Sequence, residues 1–196
     1  MELLLPMSLF AFVSSITPGP NNTMLASSGI LFGFRRTVPH LFGVCAGFGT
    51  MLALSAAGIG GVVVAVPALG LLLKAVGSTY LLYFAWRLRH MTLQQTDGQR
   101  LQPMSFWNAA GFQFVNPKAW MMAVSGASAF LPQLGSGSDG IALICLVFCV
   151  VNLACISVWA AVGAALRSYL VQPVWQKTFT AVMVILTIYA AFSLWL

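Results

Sequence analysis

The sequence predicts an all-α integral membrane protein: six transmembrane helices arranged as two inverted three-helix repeats, the first and fourth helices broken. Three observations carry this reading. Of 196 residues, 60% are hydrophobic and 6% charged, where soluble domains carry roughly 25% charged residues, so lipid must be the solvent for much of the surface. The apolar residues fall into six stretches, each near the roughly 20 residues that cross a bilayer. Prolines interrupt two of these stretches at matching places.

The first stretch covers residues 3–32 and is broken by Thr17-Pro18-Gly19-Pro20-Asn21-Asn22. Met1-Glu2 brings no basic residue ahead of it and no small-residue cleavage site follows, so it reads as a retained helix rather than a secretory signal. The second stretch covers 39–66, ended by Pro67, and the third 69–86. A polar stretch follows over 87–103. The fourth apolar stretch covers 106–131, interrupted by Asn116-Pro117-Lys118. A turn-rich segment over 135–140 precedes the fifth, 141–166, and the sixth is 174–196. The division is a first repeat over 1–90, a cytoplasmic linker over 91–104 and a second repeat over 105–196, forming one membrane domain.

Basic residues set the orientation. Arg35 and Arg36 follow the first stretch, Arg87, Arg89 and Arg100 the third, Arg167 and Lys177 the fifth. The other side has Lys74 alone, with Glu2 and Asp139. Both termini are therefore expected outside. The net charge of +6 is spread between apolar stretches, with no basic run interleaved with aromatics, so a nucleic-acid partner is not expected.

The halves echo each other. Shifted by 97 positions, Pro6-Met7-Ser8 meets Pro103-Met104-Ser105, Pro20 meets Pro117, Met24 meets Met121, and Ser28-Gly29 meets Ser125-Gly126. Three spans per half is an odd number, so the second half inserts upside down, a common transporter plan.

A proline inside a helix removes a backbone hydrogen bond, and in lipid the freed carbonyls must find partners in protein or in a water-lined cavity. Pro18-Gly19-Pro20 is expected to divide the first stretch into two half-helices, with Asn21 and Asn22 capping the second. Asn116, Pro117 and Lys118 repeat the device. Lys118 lies where a charge is expensive, with Asn21, Asn22, a backbone carbonyl or a substrate carboxylate as its candidate partner. Thr17, Pro18, Gly19, Pro20, Asn21, Asn22, Asn116, Pro117 and Lys118 are the candidate substrate-binding residues, since paired broken helices mark a transport site at a repeat interface. The predicted spans contain no Asp or Glu, which disfavours basic solutes and multivalent metal ions and leaves a neutral zwitterion. No cofactor is implied.

Other readings stand beside this one. The proline motifs could be structural kinks, and Lys118 could snorkel to the interface. Cys45, Cys145, Cys149 and Cys155 form no CxxC and read as small buried hydrophobes. A membrane thiol-redox relay would use Cys45 with Cys145 or Cys149. A non-transporting scaffold is the third alternative. His40 and His90 fall at membrane borders, and Trp86, Trp107 and Trp195 read as interfacial anchors.

The motifs Thr17-Pro18-Gly19-Pro20-Asn21-Asn22, Gly33-Phe34-Arg35-Arg36 and Phe114-Val115-Asn116-Pro117-Lys118-Ala119-Trp120 resemble those of the LysE/RhtB family of amino-acid exporters, and the resemblance extends over nearly the whole chain. Within the family, the first motif with Ser105-Phe106-Trp107 and Gln113-Phe114-Val115-Asn116 is most similar to the cysteine/O-acetylserine exporter subfamily. The resemblance implies a bacterial inner-membrane efflux carrier, not an enzyme, that moves small neutral amino acids such as cysteine, O-acetylserine, homoserine or threonine. It implies the proton motive force as energy source. A homodimer fits as readily as a monomer.

Overall fold

The computed structural model describes residues 2–58, 65–89, 102–135, 137–167, 173–193 and 195. The end of the second predicted span (59–64), most of the linker (91–101, with Arg100), Ser136 and His90 lie outside the described residues. What is described is helical: α1 (Leu4–Ile16), α2 (Pro20–Phe32), α3 (Phe34–Ala56), α4 (Pro67–Arg89), α5 (Phe106–Gln113), α6 (Pro117–Leu134), α7 (Ser138–Leu166) and α8 (Pro173–Ser193). No strand occurs among the described residues.

Two helices, α3 and α7, are each long and apolar enough to cross a membrane unaided, with mean hydropathies of 1.4 and 2.8. The first and fourth predicted spans are broken at their proline motifs. Thirteen-residue α1 and α2 are each about 20 Å long, so only the two end to end approach the hydrocarbon thickness of about 30 Å.

The second span starts earlier than expected. Gly33, at φ 79°, forms the whole connection between α2 and α3; this left-handed backbone suits glycine. Arg35 and Arg36 therefore lie in the first turn of α3, not in a loop. Pro39 sits inside the helix instead of starting it. The donor it lacks would serve the carbonyl of Arg35, and both residues are exposed, so that carbonyl can turn to solvent.

Polarity runs opposite to that of a soluble protein. Leu146, Ile185 and Trp107 are 62%, 64% and 79% exposed, whereas Asn22, Thr23, Gln113, Asn116, Asn152 and Thr187 are buried. Trp86 and Trp195 are exposed too. An apolar exterior around polar side chains is the arrangement lipid demands.

Close backbone approach holds the helices. Packing is most extensive between α2 and α7, α3 and α5, and α4 and α8. On α2 and α7, Ala26 and Gly29 face Ala160 and Gly163: a Cβ on Gly29 would collide with the Ala160 carbonyl, and one on Gly163 with the Ala26 carbonyl. On α3, Gly43 and Gly47 form a GxxxG step whose added Cβ atoms would collide with the Phe106 and Ala110 carbonyls of α5. In lipid, such small-residue faces let van der Waals contact do what hydrophobic exclusion does in water. Gly163→Leu should therefore destabilise the fold by about 1–3 kcal/mol through overpacking. The effect is read as a lower melting temperature in detergent; a melting temperature equal to wild type would mean that this crossing is not tight.

Candidate functional site

The site is built from the break between α1 and α2. Pro18 and Pro20 lack the amides that would serve the carbonyls of Ser14 and Ile16, and the chain turns extended at Thr17 and Gly19. The last carbonyls of α1 thus lose their helical donors, and each is met by a side chain. Thr17 Oγ1 donates to Ser14 O at 3.1 Å. Asn22 Nδ2 donates to Ser15 O and Thr17 O, both at 2.8 Å. Trp159 Nε1 of α7 donates to Ile16 O at 3.1 Å. Lys118 Nζ of α6 donates to Thr17 O at 2.8 Å and Thr17 Oγ1 at 2.9 Å, and stands 3.5 Å from Pro18 O.

Lys118 thus reaches a backbone carbonyl and a hydroxyl rather than snorkelling away from the break. Gly19 makes room for it: a Cβ there would lie 2.9 Å from Lys118 Cδ and 3.0 Å from Nζ.

The second half-helix begins at Pro20, with Gly19 as N-cap and no side-chain cap. Asn21 and Asn22 are therefore not caps of α2. Proline at the first helical position places them inside the first turn, which frees their side chains to reach elsewhere. Asn22 reaches back to close α1. Asn21 reaches across to α5, where Nδ2 donates to Gln113 Oε1 at 2.8 Å and Gln113 Nε2 donates to Asn21 Oδ1 at 3.1 Å. Gln113 is 0% exposed. The backbone amides of Asn21 and Asn22 meet no acceptor among the described residues, so this helix N-terminus presents donors and partial positive charge.

The second break is simpler. Gln113 ends α5, and Asn116 caps α6, its Oδ1 accepting from the Lys118 amide at 3.1 Å while its carbonyl accepts from Ala119 and Trp120. Pro117 takes the first helical position, as Pro20 does in α2.

Both breaks meet around one cavity of about 20 Å³, lined by Gly19, Pro20, Asn21, Asn22, Asn116 and Lys118 with Ser15, Gln113 and Asn152. It has room for about one water. Thr17 joins the site through its bonds to Lys118. Pro18 and Pro117 make the breaks without lining the cavity.

Three further residues belong to this network. Gln113 pairs with Asn21, Asn152 Nδ2 donates to Ser15 Oγ at 3.1 Å, and Trp159 closes Ile16 O. Asn152 Oδ1 is buried without a partner in the cavity wall. An amide in the middle of a 29-residue apolar helix was the sequence signal for Asn152; Trp159 gave none.

All four cysteines are free. Cys45 and Cys149 lie side by side on α3 and α7, each Sγ donating to the other's carbonyl at 3.6 Å and 3.9 Å. Cys145 donates to Gly49 O, and Cys155 to Phe12 O. Among the described residues, no group of His, Cys, Asp and Glu could hold a metal ion.

An apolar helical shell enclosing two interrupted helices, a lysine and a ring of amides defines a membrane transporter. The chain belongs to the LysE-type translocator family, whose family model, described as "LysE type translocator", matches residues 12–196; the protein is accordingly a transporter and not an enzyme. It is 32% identical over 186 residues to the "Cysteine/O-acetylserine efflux protein" of Escherichia coli strain K12, covering 93% of this chain and 92% of the relative. The proteins of the same description from Shigella flexneri serotype 5b strain 8401 and Shigella sonnei strain Ss046 match to the same extent. No solved structure matches the chain.

Asn22→Ala removes the side-chain donor of Ser15 O and one of the two donors to Thr17 O, the other being Lys118. The buried Ser15 carbonyl left unmet costs about 1–3 kcal/mol, so the melting temperature should fall. Asn22→Asp, which cannot donate, should fall at least as far. If either variant melts with wild type, Asn22 does not close α1.

Proposed function

We propose that this chain exports small neutral amino acids of the cysteine/O-acetylserine type, with homoserine and threonine as chemically related solutes, across the bacterial inner membrane. It is a secondary transporter driven by the proton motive force. Its six spans form two inverted three-helix repeats, 1–90 and 105–196, joined by a cytoplasmic linker over 91–104, with both termini outside. The relatives' description supports the substrate class, and the family resemblance supports the energy source. The basic residues at the starts and ends of α3, α4, α7 and α8 support the orientation.

One observation carries the mechanism: the ammonium of Lys118 rests on Thr17 O and Thr17 Oγ1, acceptors freed by the other repeat's broken helix. A zwitterion brings its own ammonium, and that group replaces Lys118 on the Thr17 oxygens. Lys118 then turns to the substrate carboxylate, which also faces the open amides of Asn21 and Asn22 and the positive end of α2. The net charge of the site does not change, because the solute is a zwitterion, and each charged group keeps a hydrogen-bond partner throughout, which matters because an unpaired charge in this setting is costly. Gly19, Pro20 and Asn116 shape the site, and Pro18 and Pro117 hold it open to exchange. Rocking of one repeat against the other then presents the site to either side.

The test is efflux from proteoliposomes loaded with labelled cysteine, O-acetylserine, homoserine, threonine or lysine, with and without an imposed pH gradient. Neutral amino acids should leave in a protein-dependent manner, faster with the gradient, and lysine should be retained. Lys118→Met should lower efflux about 10- to 100-fold, the equivalent of one or two charge-assisted hydrogen bonds, without loss of insertion. Retention of every solute by correctly inserted protein would overturn the proposal.

A further inference from the structure

A second cavity, of about 390 Å³, lies between α2, α3, α4 and α5. Its volume falls within the range of small-molecule sites, about 300–1,000 Å³, unlike the cavity at the helix breaks. Met24, Ser27 and Ser28 line it from α2, His40 from α3, Tyr80 from α4 and Asn108 from α5. His40 is 2% exposed, and neither Nδ1 nor Nε2 has a hydrogen-bond partner. A neutral imidazole carries one donor and one acceptor, and both are buried here with nothing to meet.

Two hydroxyls of α2 beside it have spent their protons. Ser27 Oγ donates to Thr23 O at 2.8 Å. Thr37 Oγ1 donates to Gly33 O at 3.0 Å, so in its 2.9 Å contact with Ser28 it is Ser28 that donates. Ser27 and Ser28 therefore offer lone pairs to the cavity, as does one nitrogen of His40. No Asp, Glu, Lys or Arg lines it among the described residues. With the His40 imidazole and the Tyr80, Tyr83, Gln102 and Asn108 side chains, the lining offers neutral donors beside these neutral acceptors, which fits a primary ammonium accompanied by a carboxylate, within a solute of no net charge.

The placement adds direction. α2 runs from the small cavity at Pro20–Asn22 into the large one at Met24, Ser27 and Ser28. The Asn21–Gln113 pair ties α2 to α5, two of the three helices that line both cavities, one turn from Met24.

We propose that the large cavity is a loading site for the zwitterionic amino acid, in which His40 and the Ser27 and Ser28 hydroxyls take its ammonium and the imidazole N–H its carboxylate. The Asn21–Gln113 pair is the gate that must open before the solute reaches Lys118. The site rests on the export reading for its role, but its occupancy can be measured separately.

His40 and His90 are the only histidines in the chain, so a His90→Gln protein, purified without a histidine tag and labelled with ¹⁵N-histidine, reports one imidazole. Titration with O-acetylserine should move its ¹⁵N resonances saturably, and N-acetylserine, which lacks the ammonium, should leave them in place. In proteoliposomes, His40→Leu should raise the half-saturating concentration of O-acetylserine about tenfold, the loss of one or two hydrogen bonds. His40→Gln, which keeps a donor and an acceptor, should restore most of it. Unmoved resonances in protein that exports O-acetylserine would overturn the loading site and leave the export reading standing. Saturable movement in protein that exports nothing would uphold the site as an amino-acid pocket and overturn the export reading instead.

Discussion

The carbonyl groups at the end of α1 are the constraint around which the site is organised. Two prolines flanking a glycine remove their helical donors, and in an apolar surround a carbonyl without a donor is costly. Four side chains answer: Thr17 and Asn22 from the break itself, Trp159 from α7 and Lys118 from α6. Three helices are thereby tied to one interruption. The arrangement is satisfied but exchangeable, because the most strongly charged donor, the Lys118 ammonium, is of the same chemical kind as the group a substrate amino acid would bring.

That exchange needs rigid surroundings. The small-residue crossings of α2 on α7 and of α3 on α5 fix the backbone on either side of the break, leaving no room even for a Cβ. Hydrophobic packing fills the rest: Phe48, Met51 and Leu52 of α3 meet Phe148 and Ile144 of α7 and Ala123 of α6 beside the site. The cavity at the breaks is too small for a solute, while the large cavity beside it is not.

Much of this was legible in the sequence because proline chemistry is local. Pro18, Pro20 and Pro117 located both breaks, and the scarcity of charge made Lys118 conspicuous. What was not legible depended on three-dimensional approach. Asn21 and Asn22 were expected to cap α2, but proline at its first position took that place and sent their amides across to Gln113 and back to α1. Pro39 was read as a helix start, yet an exposed helix end tolerates a missing bond in its second turn. His40 looked like an unremarkable border residue; only the packing of four helices around it shows two buried nitrogens without partners. Trp159 resembled any apolar residue until Ile16 lost its donor.

The central claim is that the Lys118 ammonium holds the place of the substrate's. Solid-state NMR in lipid can read it directly, with ¹⁵N on the lysine Nζ groups, ¹³C on the Thr17 carbonyl and O-acetylserine labelled with ¹³C at its carboxylate. Without substrate, Lys118 should show dipolar coupling to Thr17, given the 2.8 Å contact between Nζ and that carbonyl oxygen. With saturating substrate, that coupling should weaken and a coupling to the ligand carboxylate should appear, both absent in Lys118→Met. Persistence of the Thr17 coupling, with no coupling to a ligand that is demonstrably bound, would contradict the account.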